Sequence, residues 1–243
     1  MTKENTPKTS DVEIDGRDAR ISLTSGDKLE ISVEVLMQLV PWIGSSLSTS
    51  IFGKLAIIRR KRLETCVDEL NVRLDALANS SELTAEIQAL LQENERFVAF
   101  LRNCVERIIE EYDAEKLEAY KNAFISGYLD RKLDLNLKLE FINFLRRFGT
   151  QDLHVLGYLS KLDRGKYVEA INISASITDG SELQKLLILS ATDTLANMQL
   201  IEVGKIGLMP DGTLKRQEHE YRLTALGWSF VSFIGAYDGT LSI

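Results

Sequence analysis

Apolar and polar positions fall into several registers along the chain. Residues 1–19 show no apolar periodicity and read as a flexible N-terminal arm. Ile21 and Leu23, then Ser25-Gly26-Asp27, then Leu29 and Ile31 alternate with a period of two, which predicts a short β-hairpin within 20–32. From Val33 the period lengthens. Leu36, Val40, Ile43, Leu47, Ile51, Leu55 and Ile58 recur every three or four residues, predicting an apolar helix over 33–62 that Ser32 can cap. Pro41 kinks this helix or marks its true start. Its other face is small and polar, with Ser45, Thr49 and Gly53 forming a small-xxx-small series that admits a second helix closely.

Heptad spacing then predicts an antiparallel helical hairpin over 63–112. Leu63, Val67, Leu70, Leu74 and Leu77 make one seam, and Leu83, Ile87, Leu90, Asn94, Phe97, Leu101, Cys104 and Ile108 the other. Ala78-Asn79-Ser80-Ser81 separates them, and Ser80 or Ser81 can cap the second helix. With equal rise about this connector, facing residues have numbers that sum to about 159. Cys66 and Cys104 then do not meet. Asn94 on the seam either fixes the register as a buried amide or sits at a partly exposed position.

Further along, Leu117, Tyr120, Phe124 and Tyr128 share one helical face, and Phe141, Phe144, Leu145 and Phe148 another. Leu133 to Phe141 alternates like a strand, but with helical flanks and no partner strand it reads as a loop entering a helix near Asp134. Gly149 ends that helix and Thr150 caps the next, which carries Leu153, Leu156 and Leu162. A connection over 164–180 follows, with a short helix around Tyr167–Ile171. Ser181 and Gln184 form a capping box for a helix reaching about Gln199. Leu200–Val203 and His219–Leu223 then read as two strands flanking the turn Pro210-Asp211-Gly212-Thr213, and Thr224 caps a final helix.

The expected fold is therefore mainly α: an antiparallel helical hairpin or bundle, then a winged helix-turn-helix-like domain with a two-stranded wing. The predicted boundaries are 1–19 for the arm, 20–148 for the helical domain, 149–236 for the winged-helix-like domain and 237–243 for a tail. Two stretches carry a resemblance. Leu195-Ala196-Asn197-Met198-Gln199-Leu200-Ile201 and Tyr221-Arg222-Leu223-Thr224-Ala225-Leu226-Gly227, with Phe230 after them, resemble the "LGLI … Y-x-L-T-x-x-G-x-x-F" tail of bacterial abortive-infection alpha type proteins. Gln199 stands where that pattern usually has Gly. The resemblance implies a link to phage exclusion and brings no catalytic residues to carry over.

Composition narrows the chemistry. In 243 residues, 29 Lys and Arg against 36 Asp and Glu leave a net charge of −7, which argues against a general nucleic-acid coat. Two cysteines give neither a disulfide framework nor a metal cluster, and the first thirty residues hold no signal-peptide core, so a reducing, cytoplasmic setting is the default expectation. There is no phosphate loop, nucleophile elbow or His/Cys/carboxylate cluster. His154 reads as a core or boundary residue and His219 as a solvated wing residue; Glu106, Glu110, Glu111 and Asp113 are spaced like a solvated helix face.

No catalytic residue, metal, cofactor or small-molecule substrate is inferred. Ser45, Thr49, Gly53 and the run Arg59-Arg60-Lys61-Arg62 are candidate contacts to a partner or to lipid. The stretch Val35–Ile58 can be a core helix, an interfacial helix or a membrane span, with core packing asking least of the sequence. Lys205, Lys215, Arg216 and Arg222 are candidate nucleic-acid contacts on the wing, but Ala191–Gln199, the segment that would enter the groove, has no Arg or Lys and carries Asp193. The leading expectation is a non-catalytic protein-interaction or scaffold protein that self-associates or binds a protein partner, in a phage-defence setting. The alternatives are a DNA-binding regulator dimerised through the hairpin, and a membrane-active effector.

Overall fold

A computed structural model describes residues 50–77, 94–130, 132–178, 181–206 and 218–235, with side chains omitted at 50–56 and 74–77. The expected β-hairpin at 20–32, the apolar stripe before residue 50, Ser45, Thr49, Lys215 and Arg216 lie outside the described residues. Among those residues the fold is mainly helical, with one small antiparallel sheet. In order the elements are α1 (Ser50–Leu77), α2 (Glu95–Glu110), α3 (Ala114–Leu129), α4 (Leu135–Arg147), α5 (Thr150–Ser160), β1 (Val168–Glu169), α6 (Ala170–Ile177), α7 (Glu182–Asn197), β2 (Ile201–Val203), β3 (Glu220–Leu223) and α8 (Ala225–Gly235).

The heptad seam of α1 is real where its side chains are described. Leu63, Val67 and Leu70 are buried, and so is Cys66. Ile58, at the end of the expected apolar stripe, is exposed instead, as is Ile57 beside it. The first buried side chain of α1 among the described ones is Leu63. The second seam is not one unbroken helix. The Asn94 side chain accepts the Phe97 N–H at 3.0 Å and starts α2 as its N-cap. Asn94 is thus partly exposed, as one of its two expected roles had it, and serves as a cap, not as a buried amide that fixes the register. The hairpin register also differs from the expected one. Equal rise would set Arg62 near residue 97, but its guanidinium donates to the Ile109 carbonyl at 2.9 Å. Beyond the new start, Phe97, Leu101, Cys104 and Ile108 keep their spacing and are buried.

Short polar caps set the next helices. Glu111 accepts the backbone N–H groups of Tyr112 and Asp113 at 3.0 and 3.1 Å, and Asp113 accepts those of Glu115 and Lys116 at 3.0 Å. Both carboxylates thus form the α2–α3 turn and are not part of a solvated helix face. Asp134 caps α4 through the Asn136 and Leu137 N–H groups, so the alternating Leu133–Phe141 stretch is helical from Leu135 on. Thr150 does not cap α5. Gly149 is the N-cap residue, its N–H is accepted by Asp152 at 2.8 Å, and the Thr150 hydroxyl donates to Asp113 at 2.7 Å.

The connection over 164–180 holds more structure than its sequence suggested. Val168–Glu169 pairs with β3 as a third strand, giving the order β1-β3-β2 with Val168 opposite Tyr221 and Ile201 opposite Leu223. Only two residues long, β1 is too short for an alternation to show. Helix α6 follows at once.

One apolar core runs through all of this. Its centre is aromatic: Phe230 of α8 sits edge-on to Phe141 and Phe148, with ring centroids 5.2 and 5.5 Å apart, and Phe233 lies 5.4 Å from Phe141 and 6.3 Å from Phe100. Edge-to-face pairs of this kind add to plain burial. Helix α8, the last of the described elements, is therefore wedged among α2, α3 and α4.

The two motif stretches meet directly. Helix α7 closes with the Gln199 N–H on Ala196 O at 2.9 Å and the Leu200 N–H on Leu195 O at 3.0 Å, the paired bonds of a Schellman end. Gln199 takes the left-handed residue of that motif at φ 60°. Thr224 donates its hydroxyl to Gln199 O at 2.6 Å and its N–H to Leu200 O at 3.0 Å, then caps α8 by accepting the Gly227 N–H at 3.0 Å. A Cβ on Gly227 would collide with the Leu200 carbonyl. The residues of these two stretches therefore bolt β2 to the first turn of α8.

Candidate functional site

The basic run at 59–62 is largely engaged within the chain. Arg60 pairs with Glu64 one helical turn on, at 2.9 Å. Arg62 reaches across to Ile109 O and lies over the Tyr112 ring at 4.4 Å. Arg59 also has a partner, and Lys61 is exposed. Below them, α1 and α3 are tied by a mixed-charge cluster. Lys121, itself buried, pairs with Glu69 and Glu118, and Arg73 pairs with Glu118 and donates to Asn122 at 2.9 Å. Burial works against ionising Glu118, but hydrogen bonds from Lys121 and Arg73 outweigh it and hold its carboxyl below the usual range. Ile58, Lys61, Arg62, Cys66, Ile108 and Leu117 border a cleft of about 340 Å³ here. Burial pushes the Cys66 thiol up to about 12 and Cys104 well above its ordinary value, so neither is a thiolate nucleophile at neutral pH. Gly53 falls within α1.

Of the candidate nucleic-acid contacts, Arg222 is committed internally. Its Nε pairs with Glu202, its guanidinium lies over the Tyr167 ring at 4.5 Å, and Nη1 donates to Gly165 O at 3.4 Å. Lys205 is exposed, and its carbonyl accepts the Glu220 N–H. Within Ala191–Gln199, Ala191, Thr192 and Leu195 are buried in the core. The one cation of α7, Lys185, pairs with Glu182 at 2.7 Å.

Beside Glu182, Ser190 and Asn197, α7 exposes three leucines. Leu183, Leu186 and Leu187 are 69%, 62% and 44% exposed, while Ile188, Ala191 and Leu195 face inward. The sequence signal is a helix with two apolar stripes, of which only one can be buried against the core. It is readable in the Leu-Leu-Ile-Leu run at 186–189.

Both histidines sit in local networks. His154 Nε2 meets Glu115 at 2.7 Å, a boundary contact. His219 is half-buried, with Nδ1 3.4 Å from the Tyr221 hydroxyl and Nε2 buried without a partner, so it is not the solvated wing residue its glutamate neighbours suggested. Among the described residues no group of His, Cys, Asp and Glu could hold a metal ion, and no helix is long and apolar enough to cross a membrane.

A cleft of about 840 Å³ opens between the C-terminal end of α3, the turn at Arg164-Gly165, the β2–β3 edge and the first turns of α8. Trp228, Phe233, Leu133 and Leu223 supply its apolar lining, and Ser126, Thr224, Ser229 and Ser232 its hydroxyls. Arg164 lies over the Trp228 ring at 5.1 Å. The chain matches no protein-family model, no curated protein and no solved structure.

Proposed function

We propose that this chain is a non-catalytic interaction protein whose C-terminal region is a winged-helix docking module for a second copy of the chain. The order α5, β1, α6, α7, β2, β3 supports the winged-helix reading, because the three-stranded sheet then closes the helical trio and α7 takes the place of the recognition helix. The carrying observation is the outward face of α7. A groove-reading helix needs cations for phosphate and donors for base edges. This face presents Leu183, Leu186 and Leu187 and one cation already paired to Glu182. Exposed leucines clustered on one helix mark a protein contact.

A second copy is the occupant the charges favour. The chain carries −7 overall, yet this face holds a balanced Glu182–Lys185 pair, so two copies can meet there without like charges facing. A two-fold contact needs only one such patch. The motif resemblance supports placing the module in a bacterial phage-defence system. Light scattering of the full chain tests the proposal: concentration-dependent dimers are expected, lost in Leu183→Asp with Leu187→Asp while the circular dichroism spectrum is kept. A strict monomer overturns it. So does duplex DNA binding that falls steeply with salt and disappears on Lys215→Glu with Arg216→Glu.

A further inference from the structure

We infer that the cleft between α3 and α8 binds a small anion bearing one flat aromatic ring, with Arg164 and the N-terminal turn of α8 holding the anionic group. At about 840 Å³ it falls in the size range of small-molecule sites, and its lining is of the matching kind, apolar with a few converging polar groups.

The cation is prepositioned. Gly165 adopts φ 88°, a left-handed turn that a side chain would strain, and its carbonyl is held by Arg222. That turn delivers the Arg164 guanidinium onto the Trp228 indole. Arg222 is neutralised by Glu202, whereas Arg164 is paired with no carboxylate among the described residues. Asp130, on the opposite wall, is occupied in accepting the Lys132 and Leu133 N–H groups. A guanidinium stacked on an indole and lacking a counter-ion is a ready partner for a phosphate or carboxylate.

Two further features point into the same cleft. Thr224, Ala225, Trp228 and Ser229 belong to the first turns of α8, an eleven-residue helix whose positive dipole end therefore opens there. Ser126, 3% exposed, also lines the cleft, and its hydroxyl oxygen has no hydrogen-bond partner. The flat ring would lie on the apolar lining from Leu133, Trp228 and Phe233. None of these groups belongs to the exposed face of α7, so this inference stands or falls independently of the docking proposal.

Trp228 is a built-in reporter. The chain has two tryptophans, so full-length Trp42→Phe protein isolates its fluorescence. Adenosine monophosphate serves as the phosphate probe and indole-3-carboxylate as the carboxylate probe, with adenosine and inorganic phosphate alone as controls. Saturable quenching by at least one anionic probe is expected, with both half-probes binding more weakly. Arg164→Glu, at an exposed position, should weaken binding by about ten-fold or more without moving the melting temperature. Saturation by one probe alone supports the inference and fixes the anion. Absence of saturation with both up to millimolar concentration overturns it, as does quenching that is unchanged in Arg164→Glu or matched by adenosine alone.

Discussion

At the scale of single residues, the motif is architectural, and two substitutions test that in opposite directions. Gln199 occupies a left-handed position that costs an L-residue about 1 kcal/mol. Gln199→Gly should therefore raise stability by up to about 1 kcal/mol, read as a higher urea midpoint with an unchanged slope. Gly227→Ala should cost about 1–3 kcal/mol, since its methyl must displace the Leu200 carbonyl or the helix that carries it. The residues that make the motif recognisable are thus spent on joining β2 to α8, and none of them points to a reaction.

Between elements, the α2–α3 turn is a joint made of carboxylates. Backbone N–H donation from Lys116, reinforced by the Thr150 hydroxyl, holds the Asp113 carboxyl below its usual range. A carboxyl whose folded pKa is depressed contributes stability above its unfolded pKa and loses it as pH falls through the lower folded value. Asp113→Ala should cost about 1 kcal/mol at neutral pH as a lost cap, and that gap should narrow in acid below the ordinary carboxylate range. Paired urea melts of the two proteins along a pH series check this.

Element type was legible wherever a periodic apolar face met a capping residue, as at Asp134, Ser181 and Thr224. Asn94 shows the limit. The apolar spacing passes through it unbroken, and an Asn side chain that caps a new helix is indistinguishable in sequence from one sitting on a seam. Strand β1 was missed for a different reason, because two residues cannot display a period. Site residues were the least legible. Arg62 and Arg222 looked available as charges, but whether a cation faces solvent or a neighbouring carbonyl depends on which helix or strand the fold brings beside it.

For the whole molecule, the aromatic wedge decides cooperativity. Phe230 touches Phe141, Phe144 and Phe148, so the last helix completes the core of helices that precede it by some eighty residues in the chain. Phe230→Ala should cost about 3–5 kcal/mol. Near-ultraviolet signals from the tryptophans and tyrosines should be lost together with helicity in one transition. Separate melting of the N-terminal helices and the sheet-bearing region would contradict a shared core.

The clamp between β2 and β3 has a consequence for how the chain can vary. Gly204 and Lys205 are already laddered to Glu220, and Thr224 fixes Leu200 from the other side. Both stems of the connection are thus pinned at Lys205 and Glu220. Extra residues inserted between Asp211 and Gly212 should cost only slowly growing loop entropy. That makes this the place to graft a fluorescent or affinity label.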